Sequence, residues 1–149
     1  MSILTERPRF EDFAVGQKFT SLTRTITETD VVNYAAISGN WHPMHCDIEY
    51  AKTTPFGQRI VQGALTYTIA VGLSLNVPAA WGEVIANYGL DEMRFPKPVF
   101  INDTIHVEIE IAALTEHKRG GMMSYRFNVI NQRGETVCTF AQRVIAKRR

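Results

Sequence analysis

The sequence predicts an α+β fold in which an antiparallel β-sheet curls around one central, buried helix. Three observations carry this reading. Residues 64–77 have helix length yet are apolar or small on nearly every face, with Ala64, Leu65, Ile69, Ala70, Val71, Leu73 and Leu75 among them. A helix without a polar side needs cover all round. Residues 104–111 set Ile105, Val107, Ile109 and Ile111 against His106, Glu108 and Glu110, a period of two that belongs to a strand with one buried face. Residues 123–130 repeat the pattern with Tyr125, Phe127 and Val129. A sheet with one apolar face and a helix that needs wrapping satisfy each other.

The elements follow in order. A first strand is expected over 18–26, with Phe19, Leu22 and Ile26 as its apolar points. Thr27 reads as a helix N-cap with Asp30 three residues on, a capping-box arrangement. That helix runs through Val31, Tyr34, Ala35 and Ile37 and stops at Gly39, the residue type best suited to a left-handed C-terminal cap. Residues 40–63 read as irregular, with Pro43, Pro55 and Gly57 as breakers and a short helical turn over 49–52. Pro78 ends the central helix. A strand over 83–95, irregular at Gly89, precedes the alternating strand at 104–111. A turn at 119–121 leads to the strand 123–130, and a turn at 131–134 leads to a last strand over 136–146. Residues 1–16 are expected to cover the sheet or a partner. Periodicity does not set the strand order.

Bulk properties narrow the function. With 149 residues, 45% of them hydrophobic and 21% charged, the chain has the size and composition of one folded domain, here read as spanning 1–149. A formal net charge of +1 gives no basic stripe for nucleic acid, and Lys147, Arg148 and Arg149 read as a solvated end. The longest apolar stretch contains Thr66, Thr68, Gly72, Ser74 and Asn76, too short and too polar to cross a bilayer. Glu6, Arg7, Arg9, Glu11 and Asp12 interrupt any leader-like core near the start. Cys46 and Cys138 stand far apart and outside any CxxC motif, which points to a reducing, cytoplasmic setting.

The chemistry concentrates in residues 37–63, ISGNWHPMHCDIEYAKTTPFGQRIVQG. Ser38-Gly39, Pro43, His45, Asp47, Tyr50-Ala51, Phe56-Gly57, Ile60-Val61 and Gly63 stand in the order and spacing of a hydratase signature. Arg94-Phe95, Pro98-Val99 and Asp103-Thr104 continue it, and the run from Thr27 to Asp30 precedes it. On these residues the chain resembles the MaoC-like proteins, including the (R)-specific enoyl-CoA hydratases, over about residues 26–110. The resemblance implies a hotdog fold and reversible hydration of trans-2-enoyl thioesters, or dehydration of 3-hydroxyacyl thioesters, carried on CoA or acyl-carrier protein. It implies no organic cofactor and no metal, and it implies a homo-oligomer, dimer or larger.

In that family an Asp and a His form the acid–base pair, and a backbone N–H at the start of the buried helix polarises the thioester carbonyl. The physics requires such a set. Hydration builds enolate charge on the thioester oxygen, so a preorganised donor must meet it, and a water must lose a proton while carbon gains one. Unpaired amides at a helix N-terminus suit the first task. The resemblance assigns the His role to His45 and the carbonyl-binding role to Gly63. It also brings departures: Asn40 stands where the family has Asp, His42 where it has Asn, and Gln62 where it often has His. Asn transfers no proton in this chemistry; it only donates and accepts hydrogen bonds.

Three readings of Asn40 stand open. His42 replaces the missing acid–base group, since an unperturbed histidine titrates near neutrality. The reaction has changed to another on thioesters, such as hydrolysis. Or the chain is a non-catalytic, acyl-binding partner subunit of a heteromeric dehydratase. Against hydrolysis stands the absence of Asp and Glu from residues 64–77, since hotdog thioesterases usually draw a carboxylate from the central helix. Trp41 and Tyr67 are candidate acyl-pocket residues, with plain packing as the competing role for each. His45 competes with a structural histidine and His42 with a solvent-facing one. Cys46, in a segment read as extended, is expected to point away from His45 and be buried and inert. His42, His45 and Asp47 make a weak metal triad, because Pro43 is expected to break helical spacing between them.

Overall fold

Alternation does most of the building. In the computed structural model, which describes residues 7–149, the late sequence forms three long strands: β4 (Thr104–His117), β5 (Gly120–Asn131) and β6 (Thr136–Ala146). They pair antiparallel, with Phe127 opposite both Ile109 and Phe140. Ile105, Val107, Ile109, Ile111, Tyr125, Phe127 and Val129 are all essentially fully buried, so the period-two reading holds. The strand at 104–111 runs six residues further than expected. The turn placed at 119–121 contracts to Lys118-Arg119, because Gly120 and Gly121 already pair with His117 and Glu116. A Cβ on Gly121 would collide with the ring of Phe10.

The early strand breaks in two. β1 (Lys18–Thr20) and β2 (Arg24–Thr25) pair with successive parts of β4. Between them Ser21 takes the ladder's place, its N–H donating to Val107 O at 2.9 Å and its Oγ accepting from Val107 N–H at 2.9 Å. Leu22, expected as an apolar point, is 79% exposed in this break. β3 (Val84–Arg94) adds to the far side, giving the order β1-β4-β5-β6-β3. Its register against β6 shifts three times, more irregularity than Gly89 alone announced. Bulges of this kind re-aim and blunt an edge strand.

Helices close the concave side. α1 (Glu28–Ser38) begins at the expected cap: Asp30 N–H donates to Thr27 Oγ1 at 3.3 Å, and Thr27 N–H donates to Asp30 Oδ2 at 2.8 Å. It ends at Gly39, φ +74. Pro43 starts an element instead of breaking one. It is the first residue of the short helix α2 (Pro43–Cys46), where a missing N–H costs nothing and the fixed φ helps. α3 (Ile48–Lys52) follows at the expected turn.

The central helix α4 (Gly63–Leu75) lies on the sheet, with Leu65, Thr66, Ile69, Ala70, Leu73 and Ser74 buried. The wrapping is incomplete: Ala64, Thr68, Gly72 and Leu75 form an open stripe. The sheet curls over one side of α4 and α1 abuts another, and nothing among the described residues covers the stripe on the third. Beneath α4 the core is aromatic. Tyr125, Phe127, Phe140 and Trp81 pack ring on ring. Their polar tips are satisfied, Trp81 Nε1–H donating to Ser74 O at 2.8 Å and Tyr125 OH to Ala80 O at 3.0 Å. Before β1, Phe10 and Phe13 pack against this core and Phe10 N–H donates to Lys147 O at 3.1 Å; the rest of the expected cover, residues 1–6, lies outside the described residues. No helix among the described residues is long and apolar enough to cross a membrane.

Asp103 fastens the loop before β4. Its buried carboxylate accepts from Arg133 Nη1 at 2.7 Å and Nη2 at 3.0 Å, from Gln132 Nε2 at 2.7 Å and from Phe100 N–H at 2.9 Å. Burial alone would raise its pKa, but the Arg133 guanidinium and the two further donors together hold it below the usual carboxylate range. A depressed folded pKa stabilises above the unfolded value, about 3.9, and the gain disappears as pH falls through the folded value. Asp103→Asn is therefore expected to cost about 1–3 kcal/mol at neutral pH, the scale of hydrogen bonds to a charged group. In urea denaturation the gap to wild type should close as pH drops below about 4; a gap independent of pH would contradict the charge-based account.

Candidate active site

The site is assembled where α1, α2 and the N-terminus of α4 meet. Ser38 Oγ–H donates to Tyr34 O at 2.6 Å and accepts from Asn40 N–H at 3.2 Å. Asn40 Oδ1 receives His42 N–H at 3.4 Å. His42 Nδ1 receives Met44 N–H at 3.2 Å and so caps α2. An accepting Nδ1 places that ring's proton on Nε2. Asn40, Trp41 and His42 are all exposed.

His45 is held differently. It is half-buried near the end of α2, and its Nδ1 lies 2.7 Å from Ile60 O. A carbonyl only accepts, so Nδ1 carries the proton and Nε2 keeps its lone pair. Ile60 is itself fixed: its N–H donates to Met44 O at 3.2 Å, and the next residue, Val61, donates its N–H to Val99 O at 2.8 Å. The ring of His42 stands 6.1 Å from that of His45, centre to centre, and 6.2 Å from that of Tyr50.

His45 and Gly63 line one cleft of about 420 Å³, with Phe56, Thr66, Phe95 and Val137 among its other walls. Gly63 is the first residue of α4, and its cap, Gln62, makes no side-chain capping bond. The first-turn amides are therefore free for a ligand. The Phe95 ring passes 3.1 Å from where a Gly63 Cβ would stand, so a side chain here would push that ring aside by a few tenths of an ångström. Gln62 is 1% exposed; its Nε2 donates to Val31 O at 3.2 Å, tying α1 to the head of α4, while its Oε1 has no partner. A larger concavity, about 560 Å³, lies over the outer face of the sheet between Lys18, Glu110 and Arg126. It shares no residue with the His45 cleft and has no imidazole in its lining. The smaller cleft is the candidate site.

Of the residues singled out from sequence, His45 and Gly63 come together in the cleft. Asn40, Trp41 and His42 stand on the exposed turn beside it. Tyr67 follows Thr66 on α4, half-buried, with burial raising its phenol pKa. Cys46 is half-buried on a helical turn, not buried on an extended one. Pro43 does not break helical spacing, yet Asp47 turns to cap α3, its Oδ1 accepting from Tyr50 N–H at 3.0 Å. No cluster of three metal-ligating side chains occurs among the described residues. Thr66, Phe95, Val99 and Val137 were missed as cleft walls. Phe95 and Val99 carried a signal, as parts of the Arg94-Phe95 and Pro98-Val99 motifs.

Residues 11–133 match the family described as MaoC like domain. Protein MaoC of Klebsiella aerogenes is 39% identical over 76% of this chain, which spans a third of that protein's length. The (R)-specific enoyl-CoA hydratase of Rhodospirillum rubrum is 32% identical over 91% of this chain and 84% of its own. The X-ray structure of a monoamine oxidase regulatory protein from Archaeoglobus fulgius is 36% identical and superposes with a TM-score of 0.91 over 97% of both chains.

Proposed function

The chain belongs to the MaoC-like domain family, and from that membership we propose that it is a hotdog hydratase adding water reversibly across trans-2-enoyl thioesters of CoA or acyl-carrier protein. The single observation that carries this is the clamped His45. Its Nδ1–H is committed to Ile60 O, which leaves Nε2 as a positioned base in the same cleft as the free amides of α4. In the forward direction Nε2 takes a proton from water as the oxygen bonds to C3. The C2–C3 π electrons move toward the thioester, whose oxygen is received by the first-turn amides at Gly63. The imidazolium then returns a proton to C2, so atoms and charge balance with one imidazole acting twice. Asn40 and His42 hold the water by hydrogen bonds, since His42 Nδ1 is already an acceptor and its free proton is on Nε2. Lys97 at the cleft supplies positive charge suited to a phosphate-bearing carrier.

One domain over 1–149 and a dimeric or larger assembly complete the reading. The free edge of β3 and the exposed Val84, Ile85, Tyr88 and Leu90 on that strand support self-association, as does the uncovered stripe of α4. A reducing, cytoplasmic setting fits two unpaired cysteines, one of them, Cys138, with its thiol pushed up to about 11 by burial.

The test is loss of enoyl absorbance with a panel of trans-2-enoyl-CoAs. Turnover by wild type is expected, and none at any length would sink the proposal. Asn40→Asp supplies a second acid–base group on the turn that leads to His42 and is expected to raise kcat/KM, up to about 10²-fold. No gain would instead mean that the water is already served by the Asn40–His42 pair.

A further inference from the structure

Resting on the hydration reading above, we propose that this cleft accepts only short acyl chains, because Tyr67 and Phe140 close it one helical turn beyond the reacting centre. Positions 63, 66, 67, 70 and 74 of α4 share one face. Gly63 and Thr66 line the cleft. Tyr67 is the next side chain on that face, and its ring meets Phe140 edge-on with centres 5.0 Å apart. Phe140 sits three residues along β6 from Val137, the cleft wall on the sheet side, and stacks on Phe127 at 4.5 Å. Phe127 continues to Trp81 at 6.1 Å, and Trp81 to Tyr125 at 4.7 Å. The aromatic wall is thus continuous from α4 to the sheet.

From Gly63 to Tyr67 the helix rises about 6 Å, within reach of a crotonyl tail and short of an octenoyl one. Beyond the wall the same face carries Ala70 and Ser74, both fully buried. Those two side chains are small, so the Tyr67 ring is the bulkiest group on this face next to the cleft. Tyr67 is therefore a specificity residue. Truncating it to Ala removes the ring and lengthens the cleft by the volume the ring occupied.

The experiment compares kcat/KM for crotonyl-CoA and trans-2-octenoyl-CoA. Wild type is expected to favour the four-carbon substrate at least about tenfold, the scale of excluded methylenes. Tyr67→Ala should shift that ratio at least about tenfold toward eight carbons, while Tyr67→Phe, which keeps the ring, should leave the ratio in place. If Tyr67→Ala does not purify folded, Tyr67→Leu makes the same comparison with a smaller shift. Equal use of both lengths by wild type, or a folded Tyr67→Ala or Tyr67→Leu with the wild-type ratio, overturns the inference while hydration stands. If wild type turns over neither substrate, hydration itself fails. Calorimetry then judges the cleft alone: butyryl-CoA binding more tightly than octanoyl-CoA supports the wall, and octanoyl-CoA binding as tightly or more tightly overturns it.

Discussion

His45→Gln is expected to lower kcat/KM for crotonyl-CoA by about 10²–10⁴-fold, the usual worth of a positioned acid–base group, and His45→Ala by at least as much. The pair separates two roles of one ring. Glutamine keeps a side-chain N–H that can donate to Ile60 O, so it retains the tie that docks α2, yet it takes no proton from water. Alanine loses both. A stability difference of about 0.5–1.5 kcal/mol between the two variants would measure the Ile60 bond, read by urea denaturation. Near-equal loss of activity in both would place the chemistry on Nε2. His45→Gln within about threefold of wild type would remove His45 from the proton transfer, and with it the mechanism above.

Phe127→Ala is expected to destabilise the fold by about 3–5 kcal/mol, the range for emptying a buried aromatic position. Phe127 is fully buried. Its ring lies nearly parallel to Phe140, 12° between planes, and it also neighbours Trp81 and Tyr125. Neighbours held on β5, β6 and the turn after α4 cannot all collapse into the gap, which is why the cost belongs at the upper end. A large fall in the midpoint of urea denaturation, with the slope unchanged, is the expected reading. A loss below about 1 kcal/mol would mean that the wall relaxes freely, and a wall that relaxes would be a poor limit on acyl length.

Much of this was legible before any coordinates. Residues 104–111 and 123–130 announced their buried faces by alternation, since successive side chains of a strand point to opposite sides. Thr27, Asp30 and Gly39 marked the ends of α1 through bonds made within a few residues. His45 and Gly63 stood out by motif. The break between β1 and β2 was not legible, because Leu22 looks like any apolar point until Ser21 is seen bonding Val107. Pro43 was misread for a related reason: the same residue ends one element or starts another, and only the following turn decides which.

What the sequence determined by itself is the local part: most of the helices and strands, and which face of β4 and β5 is apolar. Those signals come from residues a few positions apart. The tertiary structure alone decided the rest. It gave His45 its partner, Ile60 O, fifteen residues on, and so placed a proton on Nδ1 of that ring. It laid Phe95 over Gly63, set Tyr67 against Phe140, and left one side of α4 open among the described residues. Each depends on strand register and on how the sheet curls over the helix. Those are set by the packing of the whole core, and no local periodicity records them.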